Sequence, residues 1–245
     1  IEKGDRVLIH SNLVRLLGDA TLAGVPATPA DVLESFVRAV GPEGTLLLPL
    51  FNFDFCKGVP FDMRATRSHM GVLTETARKQ PSAVRTGHPI YSFAVLGRQA
   101  ALFEGLENFS GYGADSPFAK LRELDGKVAV LDLGDHESMT FFHHVEEMEN
   151  VPYRFHKKFT ASYTDLNGAE APRTFGLFVR NLEMGVQTLG NPVGVELWAK
   201  GLYHGCRPLQ GHGLRVIRAR ALYEATAEII RAGRAEGMLY QRKKP

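Results

Sequence analysis

The run Lys127-Val-Ala-Val-Leu-Asp-Leu133 constrains this chain more than any other stretch. It is apolar and β-branched and stops abruptly at Gly134-Asp135, the pattern of a buried strand. Ser138 or Thr140 can then cap a helix that carries His143, His144, Glu146 and Glu147. His143 and Glu146 are three residues apart and share a helix face. His144 points about 100° further round and is expected to tolerate Ala. A neutral imidazole beside a carboxylate, at the C-terminal end of a strand, can accept a proton from an attacking amine or alcohol. A helix cap followed by a solvated acidic face is written with the same residues, so this stretch alone leaves both readings open.

Other segments repeat the alternation of strand and helix. Arg6-Val-Leu-Ile-His10 reads as a strand, and Ser11-Asn12 can cap a short helix over Leu13 to Leu17. Such a junction presents free N–H groups that favour anions, phosphates among them. Thr28-Pro29-Ala30-Asp31 starts a second helix, which Gly41-Pro42 ends. Thr45 to Leu50 is a continuous apolar run, as in a strand covered on both faces. The aromatic loop Phe51-Asn-Phe-Asp-Phe-Cys-Lys-Gly58 follows, either lining a ligand pocket or folding onto the core. A helix over Met70 to Lys79, a strand over Ser92 to Leu96 and a helix from Ser116-Pro117 to Leu124 come next.

Beyond residue 150, Phe155 to Asp165 and Ala171 to Val179 flank Asn167-Gly168, a two-residue turn signal for an antiparallel pair. A short helix from Asn191-Pro192, a last strand over Leu214 to Ala219 and a last helix over Ala221 to Ala232 complete the chain. The pattern predicts one α/β domain over 1–245: an α/β/α sandwich with a mixed sheet and an appended antiparallel hairpin.

Composition excludes several classes. With 29 basic against 27 acidic residues, no global field points to nucleic acid. No run of 18 apolar residues exists and nothing near Ile1 resembles a signal peptide, so neither a membrane partner nor export is expected, and the chain is placed in the cytoplasm. Cys56 and Cys206 supply neither a disulfide framework nor a cysteine zinc site. The start at Ile1 rather than Met is compatible with a short preceding piece. Arg15-Leu-Leu-Gly18-Asp-Ala20 spells the RxxGxA phosphate loop of the GCN5-related acyltransferases, but Gly24, Pro26 and Pro29 interrupt the long helix that fold needs. His136-Glu137 and the His143 to Glu147 cluster could offer zinc ligands, but neither HExxH nor HxxEH can be read, and no metal is expected.

Taken together, the motifs resemble the aminoglycoside 3-N-acetyltransferase family. They are His10-Ser-Asn-Leu13, Val40-Gly-Pro-Glu-Gly-Thr-Leu-Leu-Leu-Pro49, Arg85-Thr-Gly-His-Pro89 through Gly97, Asp115-Ser-Pro117, Lys127 to Leu131 and Thr140-Phe-Phe-His-His-Val-Glu146. They fall in the family's order and cover the chain to about Tyr153, the remainder more weakly. Asn12 stands where the family usually has a second Ser, and Thr86 where it has Ser.

The resemblance implies transfer of an acyl group from acetyl-CoA or another acyl-CoA to a small-molecule amine, without metal. His143 falls on the family's base, with Glu146 and Thr140 in support and His10 as a second active-site histidine. Ser11, Asn12 and Leu13 would take the coenzyme's pyrophosphate, with Thr86, Ser92 and Phe93 as further coenzyme contacts. His88, Phe51, Asn52, Asp54 and Glu137 are the candidates for the acceptor. The basic run Arg154 to Lys158 suits an acceptor bearing phosphates, such as a nucleotide-linked amino sugar, or the coenzyme's phosphates; a solvated strand end would read the same. An aminoglycoside antibiotic is the alternative acceptor, and a metal-dependent hydrolase or a silent binding protein are the competing classes. The sequence leaves the oligomeric state open, a homodimer among the options.

Overall fold

The computed structural model describes residues 1–208, 210 and 212–243. The chain opens with β1 (Arg6–Ser11), α1 (Val14–Leu22), α2 (Pro29–Val40) and β2 (Thr45–Pro49). A short 3-10 turn over Asp54–Lys57 leads to β3 (Phe61–Asp62), α3 (Val72–Arg78), β4 (Val84–Arg85) and β5 (Phe93–Gly97). Then follow α4 (Pro117–Glu123), β6 (Lys127–Leu131), α5 (Asp135–Ser138) and α6 (Phe141–Met148). The hairpin is β7 (Arg154–Thr164) with β8 (Glu170–Arg180). The rest is β9 (Val186–Thr188), α7 (Asn191–Ala199), β10 (His204–Gly205), β11 (Leu214–Arg218), α8 (Ala219–Arg231) and β12 (Tyr240–Arg242).

Seven strands form the main sheet in the order β10-β11-β6-β1-β2-β5-β4. Its centre, β6-β1-β2, is parallel, and both flanks turn antiparallel. Alternation along β1 splits the core in two. Val7 and Ile9 join Val32, Leu33, Phe36 and Leu73 of α2 and α3 on one face. Leu8 joins Phe118, Phe141, Val145, Leu197 and Leu222 of α4, α6, α7 and α8 on the other. A strand buried on both faces has to be apolar throughout, which is why β2 and β6 read as uninterrupted runs. The α/β/α sandwich and mixed sheet expected from the sequence are therefore observed. The hairpin carries one more strand, since β3 pairs in parallel with β7.

Helix starts follow the capping signals where a side chain can reach back. Thr28 Oγ1 accepts from Asp31 N at 3.3 Å while Asp31 Oδ2 accepts from Thr28 N at 2.8 Å, a reciprocal capping box worth about 1 kcal/mol. Ser116 Oγ accepts from Ala119 N at 3.4 Å. Neither Ser138 nor Thr140 caps α6: Ser138 Oγ donates to Gly134 O at 2.6 Å, and Thr140 makes no capping bond. What was read as one capped helix is two, α5 and α6, joined by a turn at Met139-Thr140.

Three further expectations change. Asn167-Gly168 is not a two-residue turn: Asp165 Oδ1 accepts from Asn167 N and Ala169 N at 2.8 and 3.0 Å, and Gly168 takes φ +85° in a three-residue loop. The helix α1 runs on to Leu22, past the Leu17 expected, and takes in Arg15 to Ala20, in keeping with the setting aside of a phosphate loop there. β11 is not the last strand, because β12 returns to pair with β9. Among the described residues, no helix is long and apolar enough to cross a membrane.

Candidate active site

The turn before α6 and the register of the hairpin bring three charged or titratable side chains onto one point. His143 Nδ1 lies 2.7 Å from Glu146 Oε2, the i to i+3 contact that the helix dictates. Arg154, the first residue of β7, reaches both: its Nε is 2.8 Å from Glu146 Oε2 and its Nη2 is 2.8 Å from His143 Nδ1. Arg154 Nη1 donates to Phe178 O at 3.0 Å, so β8 holds the guanidinium in place. Glu146 and Arg154 are buried, whereas 20% of the His143 side chain is exposed.

Glu146 and Arg154 converge on the same imidazole nitrogen, which can donate to the carboxylate or accept from the guanidinium but not both at once. When Nδ1 carries the proton it donates to Glu146, and Nε2 is left with its lone pair. Nε2 has no protein partner among the described residues. Burial, and then the charge of Arg154, lower the His143 pKa from its ordinary value, against the opposing pull of Glu146. The imidazole is therefore neutral at pH 7. For Glu146, burial pushes upward, but Arg154 and the bond to His143 outweigh it and hold the carboxyl below the usual range. A buried ionised carboxylate, a neutral imidazole and a fixed guanidinium result. Tyr153, one residue before Arg154, is buried beside Glu146, and its hydroxyl is pushed up by burial and by that carboxylate.

From His143 an aromatic wall runs back to the sheet. Tyr112 meets the His143 ring edge-on at 5.3 Å between centroids, Tyr91 meets Tyr112 at 4.7 Å, and Phe51 meets Tyr91 at 4.4 Å. His10, at the end of β1, lies 6.4 Å from Phe51. Its Nε2 is buried without a partner, and burial lowers its pKa to about 4. His10, Phe51 and His143 thus share one wall, with Tyr91 and Tyr112 between them.

The other candidates are dispersed. Ser11 is partly exposed, Asn12 is exposed and Leu13 is buried, at the start of α1. Asn12 Oδ1 accepts from Val14 N at 3.0 Å, and the N–H groups of Leu13, Arg15 and Leu16 make no hydrogen bond among the described residues. Thr86, Ser92 and Phe93 have no exposed surface to offer a coenzyme. Thr86 Oγ1 accepts from Phe93 N at 2.9 Å, and Ser92 Oγ takes the buried Arg85 guanidinium.

His88 is likewise wholly buried: Nδ1 accepts from Ile90 N and Tyr91 N, and Nε2 donates to Gly176 O at 3.2 Å. It ties the turn before β5 to the hairpin and has no nitrogen left for an acceptor. Asn52 is buried and bonds Arg67 O, while Asp54 pairs with His69 and Lys57. Glu137 is exposed on α5, and Thr140 sits in the turn before His143 with no side-chain hydrogen bond among the described residues. His144, which was expected to tolerate Ala because it points away from the His143 face, is wholly buried. The reason is that α6 is covered on that side by α8 and by the Gly111–Gly113 turn. Among the described residues no group of three or more His, Cys, Asp or Glu gathers as a metal-holding cluster.

Sequence reasoning missed Arg154 as a site residue, placing it in a basic run with His156, Lys157 and Lys158. Those three are exposed and Arg154 is not, a difference fixed only by where β7 enters the sheet. Tyr91, Tyr112 and Tyr153 were also missed, and no local spacing marks them.

Comparison with known proteins bears on this geometry. The family model described as aminoglycoside 3-N-acetyltransferase matches residues 8–229. The chain belongs to the aminoglycoside 3-N-acetyltransferase family. It is similar to aminoglycoside N(3)-acetyltransferase IV of Salmonella sp, with 32% identity over 158 residues, 62% of this chain and 56% of that protein. The matched part thus spans little more than half the length of this curated relative. Among solved structures, the aminoglycoside acetyltransferase AAC(3)-Xa superposes with a TM-score of 0.76 at 25% identity, over 94% of this chain and 87% of that one. AAC-IIIb, solved as a binary complex with CoASH, superposes with a TM-score of 0.75 over 100% of this chain and 94% of that one; at 23% identity the likeness is one of fold.

Proposed function

We propose that this member of the aminoglycoside 3-N-acetyltransferase family transfers an acetyl group from acetyl-CoA to an amine of an amino sugar, with an aminoglycoside as the leading acceptor. The single observation that carries the reading is the His143–Glu146–Arg154 cluster with Nε2 of His143 left open. An ammonium has no lone pair with which to attack a thioester, so the acceptor first gives one proton to solvent to become the neutral amine, and loses a second as it forms the new N–C bond. His143 Nε2 takes that proton, and Glu146 behind Nδ1 stabilises the imidazolium that results. The tetrahedral intermediate collapses with cleavage of the C–S bond, and the proton held by His143 passes to the departing thiolate.

Arg154 has a different task, since a guanidinium beside Nδ1 opposes imidazolium formation. It keeps Glu146 ionised and in register, and its charge holds the resting imidazole neutral. The free N–H groups at the start of α1 fit the coenzyme's pyrophosphate, because they form an unsatisfied donor cluster at a strand-to-helix junction. Ser11 borders that cluster. His10 and the wall of Phe51, Tyr91 and Tyr112 lie between it and His143, where a pantetheine arm would pass. The experiment is to mix protein, acetyl-CoA and kanamycin and to follow free thiol together with the mass of the acceptor. One thiol per acetylated kanamycin is expected, and an absence of transfer to every amine in an amino-sugar panel would refute the activity.

One observation favours a second acceptor class. Phe155, Phe159, Val179 and Leu182 line a groove of about 610 Å³ whose charged side chains are Lys157, Arg180 and Glu183, two cations to one carboxylate. The Arg180 charge is felt at His143. An amino sugar bearing a phosphate or nucleotide would place its anion there. A UDP-linked amino sugar in the same assay distinguishes the two: faster turnover of kanamycin retires this second reading.

A further inference from the structure

His144 takes no part in the reaction described above, yet its surroundings are more specific than packing requires. Its Nδ1 lies 2.7 Å from Tyr112 O. A carbonyl only accepts, so Nδ1 carries the proton and Nε2 holds the lone pair. Nε2 is buried with no partner. The ring is edge-on to Phe141 at 5.4 Å and tilted against Tyr223 at 5.8 Å. Arg122 lies 4.0 Å above that Tyr223 ring, and Glu149 accepts from its hydroxyl. A Leu or Phe would fill such a nest without stranding a buried nitrogen. Among the described residues, the bond to Tyr112 is the one contact of this ring that an apolar side chain could not make.

Tyr112 is the residue that needs holding. Gly111 and Gly113 flank it, and a Cβ at Gly111 would meet Leu177 at 2.8 Å and Tyr91 at 3.1 Å, so the turn is pressed against β8 and Tyr91 with no neighbouring side chain to hold it. Gly111 N bonds Gly176 O and Gly113 N bonds Ser110 O, which leaves the Tyr112 carbonyl to be fixed from elsewhere. The Tyr112 ring in turn packs edge-on against His143 and against Tyr91. We propose that His144 is a positioning residue, whose Nδ1–H pins the Tyr112 peptide and thereby sets the ring that orients His143 and walls the space before it. The role of His144 rests on the reading of His143 as the base.

The test compares His144→Leu, His144→Asn and His144→Gln. Asn puts an amide N–H where Nδ1 stands, whereas Gln puts it where Nε2 stands. Two measurements are made on each: steady-state turnover of kanamycin with acetyl-CoA, and the titration of the His143 imidazole followed by nitrogen NMR. His144→Leu is expected to lose about 10- to 100-fold in kcat, with the acetyl-CoA KM within about twofold of the original and a displaced His143 titration. His144→Asn recovers most of both, and His144→Gln does not. Should His144→Leu fail to fold, the Asn and Gln pair decides alone. Wild-type kcat and an unmoved His143 titration in His144→Leu, or equal activity in the Asn and Gln variants, overturn the proposal. If the unaltered protein acetylates no amine, the activity reading fails by itself. The NMR titration then still decides: moved by Leu and Gln and restored by Asn supports the positioning role, and unmoved overturns it.

Discussion

Arg154 Nε stands 2.8 Å from Glu146 Oε2, the same oxygen that lies 2.7 Å from His143 Nδ1. The buried carboxylate therefore answers to two partners from different parts of the chain, one local on α6 and one delivered by the hairpin. Breaking a buried pair by removing one partner leaves an uncompensated charge. Arg154→Met is expected to destabilise the fold by about 3 kcal/mol and to raise the Glu146 pKa. Urea denaturation at pH 7 measures the first; a loss below about 1 kcal/mol would mean that Glu146 is not ionised in the folded protein.

His143→Ala should lower turnover by about 100- to 10,000-fold with little change in acetyl-CoA affinity. Glu146→Gln should cost less in rate, since it removes the counter-charge but keeps the imidazole. The pH profile adds a sign. His143 is neutral down to below the ordinary imidazole value of 6.5, because burial and Arg154 lower its pKa. The acid limb of kcat/KM should fall below that value and vanish in His143→Ala. A limb above it would show that Glu146 dominates Arg154 at this site.

Three further histidines govern acid stability. His10, His88 and His144 are buried with pKa values lowered to about 4, burial being the main cause in each. Unfolding exposes them to protonation near 6.5, so the unfolded state binds more protons below that pH. Stability is full above 6.5 and is lost as pH falls from there towards 4, each group contributing on the order of 3 kcal/mol at most. His144→Ala is not the silent change its sequence position suggests, because it removes a wholly buried ring and the bond to Tyr112. Melting temperatures between pH 7 and 4.5 should show the decline, and His88→Gln should make it shallower.

Gly194 on α7 admits no side chain. A Cβ there would sit 1.5 Å from Asp135 Oδ2, and Asp135 is held by Arg215 Nη2 at 2.6 Å and Tyr203 Oη at 3.1 Å. Gly194→Ala should displace the carboxylate from that buried pair and cost about 3 kcal/mol, although Ala favours the helix by about 1 kcal/mol. A variant as stable as the parent in thermal unfolding would show that α7 can shift freely.

The elements that were legible from the sequence are those whose signals are local. Thr28-Pro29-Ala30-Asp31 closes its own capping box within four residues, and Gly41 ends the same helix. β2 and β6 announce burial on both faces by being apolar from Leu46 to Pro49 and from Val128 to Leu131. The bond between His143 and Glu146 follows from helical spacing alone. Local signals failed where a distant segment overrode them. Ser138 turns to Gly134 O instead of capping α6, and Asp165 rather than Asn167 organises the hairpin loop.

The sequence by itself determined the α/β layering, the position of the candidate base and its carboxylate, and the family to which the chain belongs. Each is carried by neighbours a few residues apart or by the order of short motifs. Only the tertiary structure decided which cation joins that pair, that Tyr91 and Tyr112 wall the space before it, and that His88, Thr86, Ser92 and Phe93 are sealed in the interior. A buried charge takes as partner whatever the packing of distant strands delivers, and Arg154 is delivered by the register of β7 against β8. Its sequence neighbours His156, Lys157 and Lys158 stay exposed, so nothing in their composition separates the one basic residue in the site from those outside it.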